Sequence, residues 1–222
     1  MNKNSIILLG KEEKDLLLKV IEELVKTNSI NEIIVVTDDP AIKIFFTKND
    51  IQIKTIQQEE KGYGAAIKAG FKSVKNDFAF IFNGDGSFDP SSIKKMIEST
   101  KDSDFIFCSR YHDEAGSEDD TIVTLIGNKI FSFLGKVFFG LSINDILYTY
   151  VLCNVKKFNN LNLKNNDFRL CVELPILIKK NNFTYSMIPS RERSRKSGVK
   201  KVNAIKDGAL ILFEMIKQFI KK

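Results

Sequence analysis

Asp85 is the first residue in this chain whose type and setting suggest chemistry. It stands in Asn83-Gly84-Asp85-Gly86-Ser87, directly after the apolar run Phe78 to Phe82. Such a run reads as a buried strand. Pro90 then sits where a helix can begin, and Ser91 to Thr100 carries a helical pattern. A carboxylate is thereby held at the C-terminal end of a buried strand, where open α/β sheets bind their ligands. A hard oxygen donor beside flexible backbone suits Mg2+ or Mn2+ carrying substrate phosphates. An ordinary Gly-Asp turn between strand and helix fits the same residues.

Other stretches carry similar paired readings. Lys61-Gly62-Tyr63-Gly64-Ala65-Ala66 joins a polar loop to a helix start. Its glycines let backbone N–H groups approach an anion at a helix N-terminus, or they form a plain turn before an Ala-rich helix. Neither a Walker A loop nor a dinucleotide fingerprint is present. Ser190 to Lys201 holds three arginines and three lysines among Ser and Gly. That composition suits phosphate binding at several points, and equally a solvated charge run. Arg110 follows the strand ending at Cys108, where it reaches a phosphate or a salt-bridge partner. Glu173 and Asp145 each lie among apolar residues, as exposed helix or loop carboxylates or as buried ones.

These residues need elements to position them. Ser5–Leu9, Glu32–Thr37, Ile51–Ile56, Phe78–Phe82 and Asp104–Cys108 read as strands, with helices expected over 11–26, 63–74 and from Pro90. Ala41 to Lys48 is expected as a short helix. This alternation predicts an α/β fold with a mainly parallel sheet and helices on both faces. Asp38, Asp39 and Asp85 would then face one crevice. In the second half, Thr121–Phe139 reads as a long apolar helix, Leu141–Val155 is mixed, and Phe168–Lys180 is helical. Phe183–Ile188 is a strand, Ser190–Lys201 a flexible basic loop, and Asn203–Ile220 an amphipathic helix. Residues 130–139 of the long helix, with Lys129 and Lys136, serve either core packing or an interfacial membrane contact.

Composition narrows the partners. The chain has 222 residues and a formal net charge of +6, which favours anionic ligands. The 28 acidic residues interrupt any broad basic face, and no nucleic-acid motif accompanies the basic run, so nucleic acid is not an expected partner. The three cysteines are widely spaced and form no Cys-x-x-Cys pair, which fits a reducing, cytoplasmic setting without structural zinc. The single histidine, His112, excludes a His-rich metal centre. The opening apolar run, Ile6–Leu9, is too short for a signal peptide.

Taken in order, Asp38-Asp39, Lys61 to Ala66, Asn83-Gly84-Asp85, Cys108-Ser109-Arg110-Tyr111, Asp145, Glu173 and Arg195 to Lys201 resemble the motif series of family 2 glycosyltransferases of the GT-A fold. Within them the likeness leans to dolichol-phosphate mannosyltransferase and related polyprenyl-phosphate sugar transferases. The resemblance implies one GT-A (Rossmann-like) domain over 1–222, with a nucleotide-sugar half to about residue 110 and an acceptor half beyond it. It implies that Asp38 or Asp39 contacts the nucleoside and that Lys61 and Gly64 belong to the donor site. Asp85 would hold Mg2+ or Mn2+ on the sugar-nucleotide diphosphate, assisted by Asn83, Ser87 or Asp89. Arg110, Arg195 and Lys201 would neutralise phosphates, and Asp145 and Glu173 are the candidates for a general base. The implied partners are a nucleotide diphosphate sugar of GDP-mannose or UDP-glucose type and a polyprenyl-phosphate or glycan acceptor. The implied reaction is metal-dependent hexosyl transfer with inversion.

The chain departs from that pattern at named positions. Asn83 replaces the first Asp of Asp-x-Asp and brings no charge, Gly10-Lys11-Glu12-Glu13 replaces the family's first loop, and Lys200 replaces a Ser. A sugar nucleotidyltransferase of related fold, or a non-catalytic nucleotide-binding module, are the alternatives.

Overall fold

Apolar runs and their breakers place the first half of the chain as β1 (Asn4–Leu9), α1 (Lys14–Val25), β2 (Glu32–Thr37), β3 (Phe45–Lys48), β4 (Ile51–Gln57), α2 (Tyr63–Ser73) and β5 (Phe78–Asn83). Next come α3 (Ile93–Glu98), flanked by single 3-10 turns, then β6 (Phe105–Ser109), β7 (Gly116–Ser117) and α4 (Ile122–Phe139). The last part holds β8 (Val151–Asn154), α5 (Val155–Asn160), α6 (Leu170–Lys180), β9 (Tyr185–Pro189), β10 (Arg191–Glu192) and α7 (Ala204–Ile220). This is a computed structural model, and it describes residues 3–10, 14–112, 115–196 and 204–221.

Eight strands form one sheet in the order β3-β4-β2-β1-β5-β8-β6-β9. The contacts β1·β2, β1·β5, β2·β4 and β6·β9 are parallel, while β3 and β8 run antiparallel to their neighbours. Strands buried on both faces should be apolar throughout rather than alternating, and the buried strand Asn4–Leu9 shows how this works. Its Ile7 and Leu9 join one core with Phe71 of α2, Phe158 of α5 and Val172 of α6. Its Ile6 and Leu8 join the opposite core with Leu17 and Ile21 of α1 and Met96 of α3. Helices therefore cover both faces, as the α/β alternation predicts.

The parallel core positions the candidate site. β2, β1 and β5 are adjacent and share one direction, so Asp38-Asp39 and Asp85 leave the sheet at the same edge. Two inter-strand steps separate β2 from β5, about 10 Å.

Three local expectations change. Residues 45–48 form an edge strand on β4, not a helix, with Phe46 opposite Ile53. The mixed stretch 141–155 supplies β8, which runs antiparallel between β5 and β6. The basic segment is not a free loop over its described part: β10 pairs with β7, and Phe88 bridges to Glu192.

Candidate functional site

The turn after β5 closes on itself. Asp85 Oδ1 accepts the Ser87 backbone N–H at 3.0 Å and the Ser87 hydroxyl at 2.7 Å. Gly86 permits this at φ +78, a left-handed conformation that glycine adopts without steric cost. Asn83 Oδ1 accepts from the Tyr63 hydroxyl at 3.1 Å, and the same hydroxyl pairs with Thr149. Tyr63 thus ties the start of α2 to the end of β5. Burial pushes its phenol well above the ordinary range, and the Asp85 charge adds to that. Sequence reading had not singled out Tyr63; its place inside Lys61-Gly62-Tyr63-Gly64 was the available signal. Asp89 spends both oxygens on Ser91, accepting its N–H at 3.0 Å and its hydroxyl at 2.7 Å, and so caps the 3-10 turn before α3.

The basic segment lies directly on this turn. Lys196 N–H donates to the Asp85 carbonyl at 2.9 Å, and Arg193 N–H donates to the Ser87 carbonyl at 2.8 Å. Arg195 grips Asp119 through two hydrogen bonds of 3.1 and 2.6 Å, and its Nη1 stands 3.9 Å from Asp85 Oδ2. Behind it, Glu23 takes Lys196 at 2.7 Å and Arg193 at 2.9 Å. Burial works to raise the Glu23 carboxyl, but the hydrogen bonds from Lys196 and Arg193 overcome it and hold the carboxyl below its usual range. Lys201 falls outside the described residues, as does the loop residue Lys11.

Arg110 sits in a second, more buried centre. It donates to Asp145 through Nε at 2.9 Å, Nη2 at 2.8 Å and its backbone N–H at 2.8 Å, and to Glu192 through Nη1 at 2.8 Å. Asn128 also donates to Asp145, and Ser117 to Glu192. The Tyr148 ring lies 4.6 Å from the guanidinium carbon. Burial opposes the charge, yet the Asp145 and Glu192 contacts raise the guanidinium pKa far above its ordinary value. The expectation that Arg110 neutralises a substrate phosphate does not match this geometry, because each of its three side-chain nitrogens already serves a carboxylate. Asp145 is 0% exposed and fully bonded, a poor position for a general base.

Glu173 is likewise committed. Its carboxylate accepts the backbone N–H groups of Lys164 and Asn165, both at 2.9 Å. The loop it holds packs on the glycine turn, where Ala65 N–H donates to the Asn166 carbonyl at 3.0 Å. A Cβ on Gly62 would lie 2.1 Å from Asn166 O, and one on Gly64 2.6 Å from Asn165 O. These glycines make room for the chain's own backbone, and one first-turn amide of α2, that of Ala65, is spent on that contact rather than on an anion. Glu173→Gln is expected to cost about 1–3 kcal/mol, the usual loss for a buried hydrogen-bonded group left half satisfied. Denaturant unfolding measures it. A pH-rate profile of unchanged shape fits this positioning role, whereas a displaced limb at full stability would make Glu173 an acid-base group.

The remaining sequence candidates sit at the rim. Asp38 is exposed at the end of β2, and Asp39 accepts the Ala41 N–H at 2.8 Å, capping the turn that follows. Lys61 is exposed. Among the described residues no group of three or more His, Cys, Asp or Glu could hold a metal by itself. Asn83 and Asp89 have their oxygens engaged, so a caged site from those residues does not fit. A site with one protein carboxylate, completed by substrate diphosphate and water, does fit Asp85, whose Oδ2 among the described residues meets the Arg195 guanidinium at 3.9 Å.

A mostly parallel sheet with helices on both faces and a carboxylate turn at its carboxyl edge defines a GT-A type transferase fold. The chain belongs to glycosyl transferase family 2, whose model matches residues 5–162. Mannosyl-3-phosphoglycerate synthase from Rubrobacter xylanophilus superposes with a TM-score of 0.69 at 13% identity, covering 99% of this chain and 73% of that one. Glucosyl-3-phosphoglycerate synthase from Mycobacterium tuberculosis, solved with Mn2+, uridine diphosphate and glucosyl-3-phosphoglycerate, gives 0.68 at 9% identity, covering 98% and 80%. At these identities the likeness concerns the fold. The 2-phospho-L-lactate guanylyltransferase of Methanocaldococcus jannaschii is 33% identical over 94 residues, which is 42% of this chain and 40% of that relative's length.

Proposed function

We propose that this protein moves a hexosyl group from a nucleotide diphosphate sugar to an acceptor that carries a phosphate, with inversion. The observation that carries the reading is the docking of Arg193, Arg195 and Lys196 on the Asp85 turn at the sheet edge. The Asp85 carboxylate with the Arg195 guanidinium 3.9 Å from it suits a leaving diphosphate, whose developing charge a fixed cation stabilises in the transition state, while Glu23 holds the side chains of Arg193 and Lys196. Asp38 or Asp39, about 10 Å away across β1, would meet the nucleoside. Asp85 would hold Mg2+ or Mn2+, which supplies Lewis-acid neutralisation of the diphosphate when bound.

The acceptor reading rests on the two candidate bases. Asp145 and Glu173 are both buried and occupied by hydrogen bonds. A hydroxyl acceptor needs a general base, whereas a phosphate oxygen arrives already ionised. This favours a polyprenyl phosphate or another phosphorylated acceptor over a neutral glycan. Residues before about 110 form the donor half and those after it the acceptor half, with Arg195 and Asp119 joining the two at Asp85. Three buried, unpaired cysteines fit a cytoplasmic location.

The guanylyltransferase relative favours a second reading, nucleotidyl transfer to a phosphorylated substrate. One assay separates them. The protein is incubated with Mn2+, GDP-mannose or UDP-glucose, and either polyprenyl phosphate, phosphoglycerate or a neutral glycan. Release of nucleoside diphosphate only with phosphorylated acceptors is the expected result. Pyrophosphate release from a nucleoside triphosphate and a phosphorylated substrate would establish the second reading instead. Nucleotide binding by calorimetry with no turnover in either format would leave a binding module.

A further inference from the structure

Two helices of this protein carry long apolar stripes on their outer faces. The residues α4 buries are Asn128, Ser132 and Gly135. Asn128 donates to Asp145 and accepts the Leu147 N–H, and Ser132 accepts the Ile146 N–H at 3.1 Å. The outward stripe is Ile122, Ile126, Ile130, Phe133 and Val137, three or four residues apart as one helical face requires, with Phe133 63% exposed. α7 also turns an apolar stripe outward, while Ile211 and Met215 on its other face join the core. It buries Glu214 at 0% exposure, bonded to Lys217 and Gln218, and turns Leu212, Phe213, Ile216 and Ile220 outward. The helices meet through Phe138 and Phe139, whose ring centroids lie 5.3 and 6.2 Å from that of Phe219. The two stripes therefore belong to one neighbouring apolar surface, of a kind that marks an interaction site.

The charges on this surface indicate what covers it. Residues 122–139 contain no Asp or Glu. Among the described residues of α4 and 205–221, the exposed charged side chains are Lys129, Lys136, Lys206 and Lys221. Lys129 and Lys136 are seven residues apart, so they share one flank of the α4 stripe. Phosphate headgroups neutralise such a rim while the acyl boundary takes the stripe. A symmetric second copy would bring the same lysine-rimmed surface against itself. α4 has the length and composition of a membrane span. Its buried polar face is bonded into the Arg110 centre, however, so it lies along the protein rather than projecting from it.

We propose that the α4–α7 face docks this protein flat on the surface of an anionic bilayer. The inference does not depend on the transfer reaction proposed above. Lys129, Phe133 and Lys136 also line a cavity of about 700 Å³ that reaches Tyr111 and Asn144, so docking sets the mouth of that cavity at headgroup level.

The chain has no Trp, so Phe133→Trp introduces a single reporter. The full chain is mixed with vesicles of phosphatidylcholine alone and with vesicles that also contain phosphatidylglycerol. Expected are co-flotation with the anionic vesicles, a blue-shifted emission, and quenching by brominated acyl chains. The Lys129→Gln/Lys136→Gln pair should weaken binding about twenty-five-fold, from roughly five-fold per lysine at an anionic surface. Ile126→Glu/Phe133→Glu should abolish it with an unchanged thermal melt. No vesicle binding at low salt would overturn the proposal. So would a concentration-dependent dimer, seen by sedimentation, that the glutamate pair dissociates while the wild type leaves vesicles untouched.

Discussion

Replacing Asp85 by Asn is expected to lower turnover by about 10²–10³, the usual cost of removing one preorganised electrostatic group from a site of charge development. The substitution keeps the Oδ1 acceptor for the Ser87 N–H and hydroxyl, at 3.0 and 2.7 Å, so the turn retains its shape. It removes the only charge that Asn83-Gly84-Asp85-Gly86-Ser87 carries. It leaves the bonds between Arg195 and Asp119 in place. Initial rates with a sugar nucleotide, paired with a thermal melt, check the result. Turnover within a few-fold of wild type, at equal stability, would remove Asp85 from the reaction.

The second large effect falls on stability. Arg110→Met should destabilise the fold by about 3–5 kcal/mol, because removing one partner leaves buried charges without compensation. Asp145 is fully buried and loses two of the three hydrogen bonds that Arg110 provides, those of Nε and Nη2, and keeps the one from the backbone N–H. Glu192 loses its 2.8 Å partner as well. Since natural domains have only about 5–15 kcal/mol in hand, the variant should unfold at much lower urea. Arg110→Lys should fall between the two, since an ammonium restores charge but not the forked contact with Asp145. A urea midpoint within error of wild type for Arg110→Met would show that the centre is not the structural lock its geometry implies.

Much of the fold was legible in single segments. Phe78–Phe82 and Ile33–Val36 are continuous apolar runs, which only a strand covered on both faces tolerates. Helical spacing of Leu17, Val20, Ile21 and Leu24 marked α1 in the same way. The Gly-Asp turn after such a strand marks the sheet edge from local sequence alone. β3 and β8 were less legible, since each is four residues long and owes its place to a neighbour. β8 takes its direction from the return of the chain between β5 and β6, and local propensity does not encode that return.

The division has a physical basis. Local sequence determined the elements, their order, the carboxylate turn and the basic run, because each depends on residues close along the chain. Only tertiary structure decided which charges are spent. Arg110 meets Asp145 across 35 residues and Glu192 across 82, so the sheet order, and not spacing, joined two candidate site residues, Arg110 and Asp145, with Glu192 in a buried lock. The same holds for α4. Its apolar residues fit core packing or an interfacial contact by composition, but the polar side chains Asn128 and Ser132 found partners in the fold, and satisfying those bonds turns the stripe of Ile126, Ile130 and Phe133 to the outside.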